Sequence, residues 1–281
     1  MTVLQTTDRT AEMEEPRHSL IWPIRDAGAV AWRNLRALPR IPQYLVFSTI
    51  QPVIFVLMFR YVFGGAIKVP GPIPYVDYLI PGIFVQVVVF GSMGTAIGLA
   101  TDMQSGLLER FRSLPMARSA LLAGRTLADT FRNVFVVILM AVVGYAVGFR
   151  FHGGWLAFLA GCGIVLIFGY ALSWIFASVG LAVGDPETAQ AAAFPIIAPL
   201  VFASSAFVPV QSMPGWLRAF ANHQPVSITA SAIRGLFLGP QNQAFISKTS
   251  TTSLVLQSLA WAAGIVLVFG PLAVRRYRKA V

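Results

Sequence analysis

The chain reads as an all-α polytopic membrane protein with six transmembrane helices. Three observations predict this. Of 281 residues, 56% are hydrophobic and only 11% are charged, whereas soluble domains carry about 25% charged residues. Six apolar runs approach the roughly 20 residues that cross a hydrocarbon core. Basic residues gather beside alternate runs, as they do on one face of a six-span protein.

The spans fall at about 44–63, 79–101, 131–149, 155–183, 189–208 and 254–272. The third is short. The fourth is long and is expected to tilt, or to break at Gly169 or Gly180. Pro81 suits the first turn of the second span, where its missing N–H costs nothing. Pro52 is expected to kink the first span, and Pro195 and Pro199 the fifth. Gly94 and Gly98, Gly144 and Gly148, and Gly180 and Gly184 are spaced for close helix contact.

Orientation follows from lysine and arginine. Arg9, Arg17, Arg25, Arg33, Arg36 and Arg40 precede the first span. Arg110, Arg112, Arg118 and Arg125 follow the second, with Arg132 at the edge. Arg275, Arg276, Arg278 and Lys279 end the chain. Arg60, Lys68, Arg150, Arg218, Arg234 and Lys248 are spread more thinly over the other face. Both termini are therefore expected in the cytoplasm, with the protein in the cytoplasmic membrane. Residues 1–22, acidic and poor in aromatics, read as a disordered tail; 23–281 form one transmembrane domain. The first long apolar run starts too late for a signal peptide.

The net charge of +10 raises nucleic acid as a partner. Its distribution beside apolar spans, rather than over one continuous face, points to membrane lipid instead. The single cysteine, Cys162, lies in an apolar run and reads as a packing residue.

Three segments read as lying on the membrane. From Ile24 to Leu38, Ile24, Ala27, Ala31, Leu35 and Leu38 share one helical side, and Arg25, Arg33 and Arg36 the other. That is an interfacial amphipathic helix, or simply a positive flank that sets topology. In the loop GLLERFRSLPMARSALLAGR at 106–125, Leu107, Phe111 and Leu114 form a helical stripe that Pro115 ends. A second short helix starts near Ser119. A solvated linker would not need the stripe, so the loop reads as a docking element. The outer stretch 209–253 is too apolar for an ordinary loop. Ser212 can cap a short helix carrying Trp216, Leu217 and Phe220, and Pro225 starts another with Ile228, Ile233 and Phe237. Both read as re-entrant or interfacial helices, followed by an exposed loop from Gly239 to Ser253.

The chemistry of an enzyme is missing from the pattern. There is no phosphate loop of the G-x-x-x-x-G-K-[ST] type and no H-E-x-x-H. His18, His152 and His223 are far apart, so no metal site is expected. No acidic residue lies deep in a span, which weakens an ion-coupled carrier. Asp102, Asp129 and Asp185 fall at inner span ends; Asp129 can cap the third span, and Asp185, Pro186 and Glu187 form a tight turn into the fifth.

The chain resembles the permease subunit of ABC-2 type exporters, in particular the actinobacterial daunorubicin/doxorubicin-resistance type. The resemblance is carried by the amphipathic entry helix, by GLLERFRSLPMARSALLAGR followed by TLADTFRN, by GFRFHGG at 148–154, and by VPVQSMPGWLRAFANHQPVSITASAIRGLFLG before the last span. It implies a transport subunit with no cofactor of its own. ATP and Mg would be bound by a partner ABC ATP-binding subunit, and a second permease, identical or related, would complete the core. Residues 105–125 would be the cytoplasmic coupling helix, with Leu107, Glu109, Arg110, Phe111, Arg112, Pro115 and Arg118 on the ATPase. Asp185 and Glu187 would make a second, smaller contact. Pro214, Trp216, Pro225 and Arg234 would belong to the outer re-entrant segment. A cargo path between permeases would draw on Phe84, Gln86, Phe90, Phe194, Phe202 and Ser204. An apolar path suits lipophilic or amphipathic cargo such as antibiotics. A cell-envelope lipid or lipid-linked glycan is the alternative within the family. A secondary carrier or membrane scaffold is the alternative outside it.

Overall fold

The computed structural model describes residues 42–107 and 118–280, with side chains over 50–107 and 122–278. The expected tail at 1–22, the amphipathic helix at 24–38, and Glu109, Arg110, Phe111, Arg112 and Pro115 lie outside the described residues.

Among the described residues eight α-helices follow in order: α1 Pro42–Leu57, α2 Tyr75–Gln104, α3 Arg118–Ala146, α4 Gly154–Val183, α5 Pro186–Phe202, α6 Gly215–His223, α7 Pro225–Ile246 and α8 Thr251–Ala280. Among the described residues there is no strand. Stretches within α2, α3, α4 and α8 are long and apolar enough to cross a membrane. α1 and α5, at 16 and 17 residues, fall short of the usual spanning length of about 20. A π turn, Met58–Val62, extends α1. Pro52 lies inside α1, and Pro195 and Pro199 inside α5.

α2 sits at the centre. It packs most extensively on α4, then on α5, α3 and α7, while α8 covers α4 and α7 from outside. This order follows from composition. α2 is apolar all round, with Val, Ile and Phe on every face, as a helix buried on all sides must be. α8 leaves Leu256, Trp261, Leu267 and Val268 exposed, which suits a lipid-facing outer helix.

Several expectations need correction. α4 is one unbroken helix, with no break at Gly169 or Gly180. Its glycines serve contact instead: a Cβ on Gly180 would stand 2.3 Å from the Ala96 carbonyl oxygen of α2. The helix expected near Ser119 does start there, at Arg118, but it is not short: α3 continues without interruption through the third span. α2 begins at Tyr75, which places Pro81 beyond its first turn. Pro214, not Ser212, stands at the start of α6, and Ser212 Oγ donates to the Pro209 carbonyl. The stretch after Gly239 is not an open loop. Gly239, at φ +79°, kinks α7, and helix resumes from Pro240 to Ile246.

α4 ends where Gly184 adopts φ +76° and returns its N–H to the Gly180 carbonyl, a position that suits only a residue without a Cβ. Asp185 then starts α5 by accepting from Thr188 N–H at 2.8 Å, with Pro186 at the first helical position. This is the tight turn expected there.

Candidate functional site

Gly91 and Gly98 lie seven residues apart on one face of α2. A Cβ at Gly91 would overlap the Asn133 amide, and one at Gly98 would overlap the Arg125 guanidinium. The two glycines thus open a channel in α2 that receives polar side chains of α3. Into it come Arg125, Asp129 and Arg132, spaced i, i+4, i+7 on a single helical face.

These side chains form a balanced charge network. Arg125 Nη1 meets Asp102 Oδ2 at 3.2 Å, and Arg125 Nε lies 3.9 Å from Asp129 Oδ2. Arg132 Nη1 meets Asp129 Oδ1 at 3.5 Å, and its Nη2 donates to the Gly91 carbonyl. Thr95 Oγ1 donates to Asp129 Oδ2 at 2.6 Å. Asp129 and Arg132 are buried. Asp129 is therefore neither a cap of α3 nor water-exposed at a span end. Among the described residues two arginines face two aspartates, and this pairing is what permits them inside an apolar bundle.

Next to this network, α1, α2, α3 and α5 enclose a cleft of about 350 Å³. Gln51, Gln86, Arg132, Asn133 and Gln190 supply polar groups; Phe90, Met93 and Val136 supply apolar walls. Gln86 is almost wholly buried, and its Oε1 has no hydrogen-bond partner among the described residues. A buried amide oxygen without a partner is costly, so this one is placed to take a donor from whatever fills the cleft.

The opposite end of the bundle is held by a different device. Arg234 of α7 is fully buried. Its Nε donates to the Tyr78 carbonyl at 2.9 Å, and its Nη2 to the Ser205 and Ala206 carbonyls at 2.7 and 2.9 Å. Its Nη1 donates to Ser205 Oγ at 3.2 Å. Tyr78 Oη donates to the Ser205 carbonyl, and Tyr75 Oη to the Phe207 carbonyl. α7 is thereby stitched to the start of α2 and to the α5–α6 connection.

The residues singled out from sequence are distributed as follows. Gln86 and Phe90 line the cleft together. Phe84 is fully buried in an aromatic cluster with Phe158 and Phe237 and does not face the cleft. Phe194 and Phe202 are exposed on α5, and Phe202 stacks on Phe207. Ser204 is buried, donating to the Val201 carbonyl and accepting from Ala206 N–H. Leu107 is half-buried just past α2, and Arg118 begins α3. At the α4–α5 turn Glu187 is exposed. The Asp185 carboxyl is held below the usual carboxylate range, first by the Thr188 N–H and then by the Thr188 hydroxyl. Pro214 precedes α6, Trp216 is exposed on it, and Pro225 opens α7. Sequence reasoning missed the Arg125–Asp129–Arg132 face. Its signal was the i, i+4, i+7 spacing of opposite charges facing a glycine pair.

A family model described as ABC-2 type transporter matches residues 25–238. The chain is 36% identical over 248 residues to the daunorubicin resistance ABC transporter permease protein DrrB1 of Streptomyces coeruleorubidus, covering 88% of this chain and 84% of that protein. It is 29% identical over 237 residues to a Mycobacterium tuberculosis protein named "Probable doxorubicin resistance ABC transporter permease protein DrrC", covering 84% of this chain and 82% of that protein. To the doxorubicin resistance ABC transporter permease protein DrrB of the same organism it is 29% identical over 160 residues, 57% of this chain and 55% of that protein.

Proposed function

The chain belongs to the ABC-2 type transporter family, and from that premise we propose that it is the six-span permease subunit of an ATP-driven exporter of lipophilic or amphipathic compounds. It is a multi-pass membrane protein of a transport family, homologous to drug-resistance permeases. The finer reading adds a separate ATP-binding subunit, a second permease, and both termini in the cytoplasm. α1 with its π turn and α5 complete the six spans, and α6 and α7 form the outer re-entrant segment.

One observation carries the mechanism. The segment expected to dock on the ATPase joins the end of α2 to the start of α3, and both helices line the cleft. The Arg125, Asp102 and Asp129 contacts tie the two helices together just beside that segment. In the proposed cycle, ATP-driven closure of the partner dimer pushes on 105–118. The tied pair moves as a unit, and the cleft walls at Phe90, Arg132 and Asn133 shift against α1 and α5. Gln86 and Gln190 would orient cargo by hydrogen bonding while Phe90 and Met93 cover its apolar part. The names of the relatives point to anthracyclines as the first cargo to try.

The test is affinity purification of the tagged chain in mild detergent with identification of any co-purifying ATP-binding subunit, followed by fluorescence quenching of doxorubicin in inside-out vesicles. ATP-dependent uptake is expected from the pair. Glu109→Lys is expected to weaken association and uptake together while leaving the permease folded. ATP-dependent uptake that persisted without any ATP-binding subunit would overturn the reading and favour a secondary carrier.

A further inference from the structure

The end of the bundle that holds Arg234 carries a second pocket, of about 580 Å³, between α6, α7 and the start of α8. Its rim bears two cations, Arg218 on α6 and Lys248 in the α7–α8 link, with the His223 ring beside them at the end of α6. Its floor includes Tyr78 and Ser205, the two residues that hold the buried Arg234 guanidinium from behind. No carboxylate lines it, and the sequence holds no aspartate or glutamate after Glu187. A concave site of one sign, backed by a low-dielectric wall, concentrates its field inward.

The polar lining is suited to oxygen-rich anions. Asn222, Ser231 and Thr249 offer neutral donors beside the cations. Arg218 is aimed by its own hydrogen bonds to the Gln211 and Met213 carbonyls. Lys248 is exposed and has no carboxylate or hydrogen-bond partner among the described residues. The pocket also has apolar walls, from Ile228, Ile246 and Leu254. α6 adds a second pointer. Trp216 and Phe220, four residues apart, are exposed on the side opposite Arg218 and Asn222. A short helix with an aromatic face and a basic face lies at a membrane interface. That places the pocket at headgroup depth.

We infer that this pocket binds a phosphate-type oxyanion and is fitted to the headgroup of an anionic phospholipid in the adjoining leaflet. The site is distinct from the cleft of the proposed cargo path and does not depend on that reading. The phosphate oxygens sit among Arg218, Lys248 and the neutral donors, and the glycerol region lies against the apolar walls.

The test is native mass spectrometry of the full chain released from detergent, with phosphatidylglycerol, phosphatidylcholine or inorganic phosphate added. Phosphatidylglycerol is expected to be retained in preference to phosphatidylcholine. Lys248→Gln is expected to weaken that retention about five-fold, the usual worth of one cation near an anionic surface. Arg218→Gln is expected to weaken it as well, and because Arg218 also holds local backbone, Lys248→Gln keeps the test independent of folding. Lys68→Gln, an exposed cation outside the pocket, is expected to change nothing. If inorganic phosphate is retained but neither lipid is, the oxyanion site stands and the lipid assignment falls, its occupant being a soluble anion. Equal retention of the two lipids, or equal retention of phosphatidylglycerol by the wild type, Lys248→Gln and Lys248→Glu, would overturn it.

Discussion

The Arg234 guanidinium carbon lies 3.6 Å from the centroid of the Tyr78 ring, while Arg234 Nε donates to the Tyr78 carbonyl. One residue thus grips another by both its π face and its backbone. Four donor contacts and a cation–π contact replace the carboxylate that a buried arginine usually needs.

Removing that grip takes the Arg234 donor from the buried Tyr78 and Ala206 carbonyls and leaves the Ser205 carbonyl with the Tyr78 hydroxyl alone. Arg234→Ala is expected to cost about 3 kcal/mol. Arg234→Lys should recover only part of it, because an ammonium has neither the planar fork nor the stacking face. Thermal unfolding in mild detergent would measure both. If the lysine variant matched wild type, the bidentate and stacked geometry would have no energetic meaning.

Asp129 is the counterpart at the other end. Asp129→Asn takes the Asp129 carboxylate away from buried Arg132 and is expected to cost about 3 kcal/mol. Asp102→Asn removes a half-exposed partner of Arg125 and should cost about 1 kcal/mol or less. The pairing of Asp129→Asn with Arg132→Met should be milder than Asp129→Asn alone, since no unpaired charge remains. A double-mutant cycle on unfolding free energy decides this. Strict additivity would mean that Asp129 and Arg132 do not act as a pair.

The Asp185 turn gives a pH prediction with a defined sign. Its carboxyl titrates lower in the folded chain than in the unfolded one, because Thr188 hydrogen bonds favour the carboxylate. The contribution is therefore complete above the ordinary aspartate value of about 4 and fades as pH falls through the lowered one. Hydrogen exchange at the Thr188 amide should quicken relative to neighbouring amides of α5 across that acid window. In Asp185→Ala the same amide should exchange fast at every pH, and an acid-induced change surviving in that variant would point to a different titrating group.

How far the fold was legible depends on where its polar residues point. α2 and α4 were readable to within a few residues, because long apolar runs in this composition have no other use, while α8 runs eight residues past the expected end at 272. α3 was not. Arg118, Arg125, Asp129 and Arg132 break its hydropathy, so its first half read as a short helix of its own from near Ser119 rather than as part of the third span. Only the facing helix explains why Arg125, Asp129 and Arg132 are tolerated, through Gly91 and Gly98, and facing helices are tertiary information. The same applies to the cleft. Gln86 and Phe90, four apart on α2, were visible as a polar handle beside an aromatic. Phe84 looked equivalent by spacing, but it turns into the Phe158 and Phe237 cluster, and one sequence does not report helix rotation. The kink at Gly239 was hidden for a simpler reason. Gly-Pro usually ends structure, and here helix resumes directly after it.

The unbroken course of α3 also has a mechanical reading. Its 29 residues make a rod of about 43 Å at 1.5 Å per residue, some 13 Å longer than a hydrocarbon core. If the tied pair of helices rocks about the level of Arg125, the arm of α3 toward Arg118 is about 10 Å and the arm toward Ala146 about 31 Å. A displacement at the short end is then magnified about threefold at the far end. A stroke of one ångström at Arg118 would carry Ala146 through the width of a methyl group, enough to open or shut a close-packed seam.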